Sequence, residues 1–504
     1  MFPEPLATSP PFLISEIASH TDTMAPNRRT FLKATAAFPT LLAAQSRPNI
    51  LWIIGDDLGP QLGCYGDPLV KTPNIDLLAS EGVRFTHCFT TAPVCSASRA
   101  GFNTGMYQIA TGTHNHRSHR KDDYQLPGGA RLIMDRMRDV GYFTANVLDI
   151  APGVRGTGKT DFNFKTVGKP FDGTHWNQRK EGQPFFAQIN FQAPHKGPAF
   201  VAARKQKELI DPAKVPLPPY YPDHPVVRDE VANYYDAVQL LDHQVGVTLE
   251  QLKKDGLLDN TVIFFFGDNG RCLLRGKQWL YDAGTHVPLI VRYPGVLPKG
   301  VVRRDPVVAL DFNAQSLVYA GIAVPKEYHG QPLFGSKPRE VVFTARDRCD
   351  MTVDRIRAVR SERYKLIRNF MPDRPYTQFN EYIKTSYPTL TVLQELHGQG
   401  KLNAVQEQFM ALRKPEVEFY DLAADAHELN NLAKSPKYGK LVKEYSSKLD
   451  AWLKAMDDKG AILESKETIE REEPRAAGPA AKAIKQFAIP KHFQHSPGRS
   501  HPYP

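Results

Sequence analysis

The chain has 504 residues, 41% hydrophobic and 23% charged, enough to bury a large core, which excludes disordered, fibrous and low-complexity classes. The net charge of +10 favours anionic partners. No run of five basic residues and no zinc-finger or RNA-binding signature occurs, so a charged pocket is expected rather than a nucleic-acid track.

Residues 1–46 read as a leader. Arg28-Arg29, then Phe31-Leu32-Lys33 and an uncharged run to Ala43-Ala44, resemble a twin-arginine signal cleaved after Ala44. Met24 sits where such a signal begins, leaving 1–23 as an upstream extension. An exported protein, periplasmic or extracellular, is predicted. The run is shorter than the roughly 20 apolar residues a bilayer span needs, and no other segment is apolar enough.

From Arg47 apolar strands alternate with amphipathic helices. Strands are expected at 49–57, 83–89, 141–147, 184–191, 261–270 and 287–295, with helices at 72–82, 130–140 and 229–254. That pattern predicts an α/β domain over 47–335, a mostly parallel sheet sandwiched by helices. The texture changes near 335. A hairpin is expected over 355–370, turning at Ser361-Glu362-Arg363, then a strand, turn and helix over 418–433 and a helix over 440–456. A smaller α+β subdomain with an antiparallel sheet (336–460) precedes a charged, proline-rich tail (461–504), expected to be extended or disordered after 465.

Five scattered cysteines (Cys64, Cys88, Cys95, Cys272, Cys349) form no CxxC pair, so neither a disulfide scaffold nor a zinc cluster is expected. In an open parallel sheet, ligands sit beyond the carboxyl ends of the strands. Two strands end in Asp56-Asp57 and Asp268-Asn269, a hard-oxygen set suited to calcium or magnesium. Between them lies "CSASR" (95–99), which opens a helix with Cys95 at its N-terminus and Arg99 one turn on. A bare thiolate beside a hard cation is poor chemistry.

"CSASR", followed by Thr104-Gly105, resembles the type I sulfatase signature, whose cysteine is converted to formylglycine by a maturation enzyme. "DDLG" (56–59), "TPNIDLLASEGVRF" (72–85), "GDNG" (267–270) and "FYDLAADAHELNNLA" follow in the family's order, and the resemblance covers most of 47–455. It implies an alkaline phosphatase-like fold and a divalent ion, calcium by expectation, held by Asp56, Asp57, Asp268, Asn269 and converted Cys95. Arg99, Lys159 and Lys277 would neutralise the sulfuryl oxygens, and His195 would protonate the leaving group. After Lys159 the pattern departs, because Asp161 stands where the family has histidine. His114, His116 or Asp161 are the possible substitutes. The basic stretch 114–121, with His114, His116 and Arg117, is a candidate substrate rim.

The spacing is most similar to the heparan N-sulfatase branch, so a sulfated carbohydrate is the implied substrate, as sulfate ester or sulfamate. Phosphonate or phosphodiester hydrolysis, a non-catalytic binder of sulfated glycans, and a thiol enzyme using unmodified Cys95 are the competing readings.

Overall fold

The computed structural model describes residues 47–472; the leader and the end of the tail lie outside them. Fourteen strands are present among these residues. β1 (Asn49–Gly55), β2 (Val83–Phe89), β3 (Phe143–Val147), β6 (Phe185–Phe191), β7 (Thr261–Gly267), β8 (His286–Arg292), β9 (Val301–Arg303) and β10 (Val307–Val308) build the main sheet, while β4 (Asp149–Ala151) and β5 (Val154–Arg155) form a separate hairpin. The path runs β10-β2-β8-β7-β1-β6-β3, with β9 on β2. β8 is antiparallel to both neighbours and the other pairings are parallel.

β1 reads as an unbroken apolar run because both its faces are covered, and all seven residues are buried. Leu51 and Ile53 join one core with Ile75 of α1 (Pro73–Ser80) and Val238 and Leu241 of the long helix Pro225–Lys254. Ile50, Trp52 and Ile54 join the other with Phe102 of α2 (Cys95–Thr104), Met137 of α3 (Ile133–Asp139) and Phe312 of the helix Leu310–Tyr319. This alternation is the helix–sheet–helix sandwich.

The second sheet is antiparallel, β11 (Val342–Arg346), β12 (Ile356–Arg360), β13 (Tyr364–Asn369) and β14 (Val417–Asp421) in order. The helix Gly439–Met456 packs Tyr445, Leu449 and Trp452 into the core against this sheet.

Three boundaries depart from expectation. The long helix begins at Pro225 rather than 229, because His224 caps it and proline suits its first turn. Residues 422–433 form turns, not a helix. There the Asp425 carboxylate accepts from the Leu429 and Asn430 N–H groups, and Asn431 bonds the backbone of Phe419 and Val417. Lys466–Glu472 is helical where extended chain is expected; Ser465 Oγ accepts the Thr468 N–H at its start.

Candidate active site

β1 and β7 are parallel neighbours in register, Gly55 opposite Gly267, so Asp56-Asp57 and Asp268-Asn269 leave the sheet side by side. A Cβ on Gly267 would lie 2.4 Å from the Leu58 carbonyl oxygen, so the crossing requires glycine. The two exits are tied together: Asp268 Oδ1 accepts from the N–H groups of Asp57 and Asn269, both at 2.9 Å. Asp57 is left-handed, φ 61°.

All ten residues of α2 are buried. Gly101 permits close packing, since a Cβ there would lie 2.7 Å from Thr91 Oγ1. Gly105 ends the helix with φ 71°. Cys95, at the first position, sets Sγ 3.8 Å from Asp56 Oδ1 and 3.7 Å from Asp57 Oδ1. Burial pushes its thiol up, so a free thiolate is disfavoured here.

Three cations face the three carboxylates. Arg99 donates to Asp268 Oδ2 from Nε at 3.0 Å and to Asn190 Oδ1 from Nη1 at 2.6 Å. Lys159 Nζ donates to both oxygens of Asp56 at 2.8 Å, and Lys277 Nζ to Asp57 Oδ2 at 2.9 Å. Burial opposes the charge on Asp56, but Lys159, His195 and Arg99 outweigh it and hold the carboxyl well below the usual range. Asp57 is likewise lowered against burial, by His195 and Lys277. Asp268, buried and beside Asp56, is pushed up to about 7.

His195 Nδ1 donates to the Lys196 carbonyl at 2.7 Å, so its Nε2 is the acceptor facing Lys277 Nζ at 3.1 Å. Burial lowers its pKa and favours the neutral ring. Twelve residues come together by these contacts or their neighbours: Asp56, Asp57, Asp268, Asn269, Cys95, Arg99, Lys159, Lys277, His195, Ser96, His116 and Arg117. His116 Nδ1 is 2.9 Å from Ser96 Oγ, which also accepts the Arg117 N–H at 3.0 Å. Asp161 binds Arg117 through both carboxylate oxygens at 3.0 Å and also pairs with Arg120. His114 is not brought to this centre; it lines a separate small cavity with Asp347 and Glu464.

Asn269 Oδ1 is buried without a hydrogen-bond partner, while its Nδ2 is used on Asp57 and Gly270. An orphaned oxygen among three buried carboxylates fits a hard divalent cation. Asn190 and Tyr382 were not singled out by sequence. The polar Gln188 and Asn190 alternate in the buried run "FFAQINF", which was the available signal. Tyr382, from the helix Glu381–Ser386, sets its ring 5.4 Å from Lys277 Nζ and 6.1 Å from the His195 ring, and no local pattern marks it.

The sulfatase family profile matches residues 48–170 and 170–322, more than half of the chain. The chain belongs to the sulfatase family. Residues 272–411 match the C-terminal region of N-sulphoglucosamine sulphohydrolase. An ulvan-active sulfatase of Formosa agariphila is 34% identical over 476 residues, covering 84% of this chain and 78% of its own. N-sulphoglucosamine sulphohydrolase of Homo sapiens is 26% identical over 468 residues, covering 81% of this chain and 90% of its own. Among solved structures, the phosphonate monoester hydrolase of Agrobacterium radiobacter has a TM-score of 0.61 at 19% identity, covering 81% of this chain and 96% of its own. A 2-O glycosaminoglycan sulfatase has a TM-score of 0.60 at 21% identity, covering 87% and 100%. At those identities the likeness is one of fold, alkaline phosphatase-like. The sulfatase described here is a sulfuric ester hydrolase.

Proposed function

We propose that this sulfatase removes sulfate from sulfated carbohydrates, as ester or sulfamate, at the site built on Cys95. The observation that carries the reading is the convergence of four oxygen-bearing side chains, a buried Cys95 and three cations on one point. When present, a divalent ion (calcium by preference, for an all-oxygen set) supplies Lewis-acid polarisation, and formylglycine made from Cys95 by a maturation enzyme supplies paired oxygens.

Asp56, Asp57, Asp268 and Asn269 would hold the ion. Arg99, Lys159 and Lys277 orient the sulfuryl group and stabilise charge as it develops on the oxygens. In the neutral ring Lys277, donating to Nε2, positions His195; once Nε2 is protonated, that N–H turns from Lys277 to the departing oxygen or nitrogen and delivers its proton there. At the opposite wall Asp161 is committed to two arginines and is a poor base. His116, bonded to the residue after Cys95, is the proton acceptor we assign on that side. We further propose export by the twin-arginine route, supported by Arg28-Arg29; replacing both by lysine should leave the protein in the cytoplasm on fractionation.

Mass spectrometry of the peptide carrying Cys95, in protein matured by its own host, tests the assignment. Conversion to the aldehyde or its hydrate is expected; an intact thiol sinks it. Faster turnover of an aryl phosphonate monoester than of the matched aryl sulfate would instead favour phosphonate hydrolysis.

A further inference from the structure

We propose that Arg117, locked in place by Asp161, reads a second anionic group on the sugar that bears the scissile sulfate. The inference rests on the sulfated-carbohydrate reading above and names the substrate class more narrowly: a sugar unit with a sulfate or carboxylate near the one removed.

Asp161 has a side chain only 1% exposed, yet it faces two guanidiniums. Arg117 uses Nε and Nη2 on it, leaving Nη1 without a partner among the described residues, on a side chain 34% exposed. Arg120 is the second cation, 44% exposed. Asp161 is the one carboxylate bonded to the two arginines; Asp350 also lies within coulombic range of Arg117, but its hydrogen bonds go to Gln278 and Asn380.

The backbone carries the same message. Arg117 (φ 60°) sits in the left-handed region that long side chains avoid, while Asp161 (φ 50°) shares that region, which aspartate tolerates. Such strain persists only where the surroundings hold it, and it concentrates at ligand clamps. The surroundings here belong to the catalytic centre. The Arg117 N–H is anchored on Ser96, the neighbour of Cys95, and Asp161 lies two residues from Lys159, which grips Asp56. Arg117 is within coulombic range of Cys95 itself.

A guanidinium held along one edge by a two-point carboxylate pair presents its other edge preorganised. It can take a sulfate or carboxylate oxygen with little further loss of rotamer freedom. Asp161, at the position where a histidine was expected, thus holds the specificity residue. Arg117 is assigned to binding, not to the bond-breaking step.

The test compares kcat/KM for three substrates: a sugar monosulfate with no other charge, the same sugar carrying a second sulfate, and a monosulfated sugar linked to a hexuronate. The enzyme is full-length and its Cys95 conversion verified. Wild type should prefer at least one doubly anionic substrate over the monosulfate by about tenfold or more, the scale of a hydrogen bond to a charged group. Which arm is preferred identifies the second anion as sulfate or carboxylate. In Arg117→Ala the preference should fall by about ten- to a hundredfold, mainly through KM, and Arg117→Lys should recover part of it. Asp161→Asn, a residue that tolerates the left-handed backbone, should loosen Arg117 and erode the preference in the same direction.

A wild-type preference below threefold overturns the inference, as does a preference that survives Arg117→Ala or Asp161→Asn. If those results come with normal sulfate release, the carbohydrate-sulfatase reading stands. If wild type releases sulfate from none of the three, both fall together.

Discussion

Arg99 shows how one side chain serves the site through several partners at once. Its guanidinium is fully buried and spreads its donors over Asp268, Asp56 and Asn190. A buried charge left with an unmade hydrogen bond is costly, so Asn190 is a positioning residue whose loss should let Arg99 shift. Asn190→Leu is expected to lower kcat by about ten- to a hundredfold, the kinetic equivalent of a hydrogen bond to a charged group. Conversion of Cys95 should be unaffected, and mass spectrometry checks that separately. Unchanged kcat would remove Asn190 from the positioning network. The raised thiol of Cys95 belongs to the same scale. Burial, helped by Asp268 and Asp57, outweighs the pull of Lys159 and Lys277 toward a thiolate.

The strands carry these residues, and their ends are where the sequence is most informative. Gly267 is glycine because a methyl group there would strike the Leu58 carbonyl, whereas at Gly55 it would crowd the Leu241 and Leu58 side chains. Gly267→Ala should destabilise the protein by about 1–3 kcal/mol by overpacking, read in a urea titration, and should displace Asp268 enough to lower activity with it. β8 supplies a pH-dependent term. His286 is held to about 4, by burial first and then by Arg360 against Asp282, while its Nε2 bonds the Thr86 carbonyl at 2.8 Å. The unfolded chain, near 6.5, binds the proton more readily, so stability is full above pH 6.5 and is lost as pH falls toward 4. The loss from this group is at most about 3 kcal/mol. His286→Gln keeps a donor for Thr86, and its stability difference between pH 6.5 and 4 should be smaller by about that amount. An equal difference in both proteins removes the assignment.

Strand ends and the cysteine helix were legible because short-range patterns encode them: apolar runs closed by acids, and a small-residue helix start. Pairings across long separations were not. Arg117 and Asp161 are 44 residues apart in left-handed loops, so no periodicity links them. The turns at 422–433 mislead for a related reason, since Asp425 and Asn431 compete for backbone groups that a helix would otherwise use.

At the scale of the molecule, the second sheet reaches the first through buried charge. Lys365 of β13 pairs with Asp282 and Glu428, Arg360 of β12 pairs with Asp282, and Glu418 of β14 accepts from Tyr281. None of the proposed metal ligands comes from that second sheet. They lie on the ends of β1 and β7 and on α2, where three cations already balance three carboxylates. Removing the ion should therefore abolish activity without unfolding the protein. With free ion at a hundred times its dissociation constant, chelation costs about 2.7 kcal/mol of stability, a modest share for a core of this size. Treatment with EGTA is expected to reduce sulfate release to background and lower the melting temperature by a few degrees, at roughly 2–4 °C per kcal/mol or less in a chain this large. Adding back calcium should restore both, and magnesium should restore less, because it favours a rigid octahedron and keeps its waters. Asp57→Asn should lose the thermal response to calcium, which ties the effect to this cluster rather than to a surface site. Full activity after exhaustive chelation would show that the cluster works without a cation.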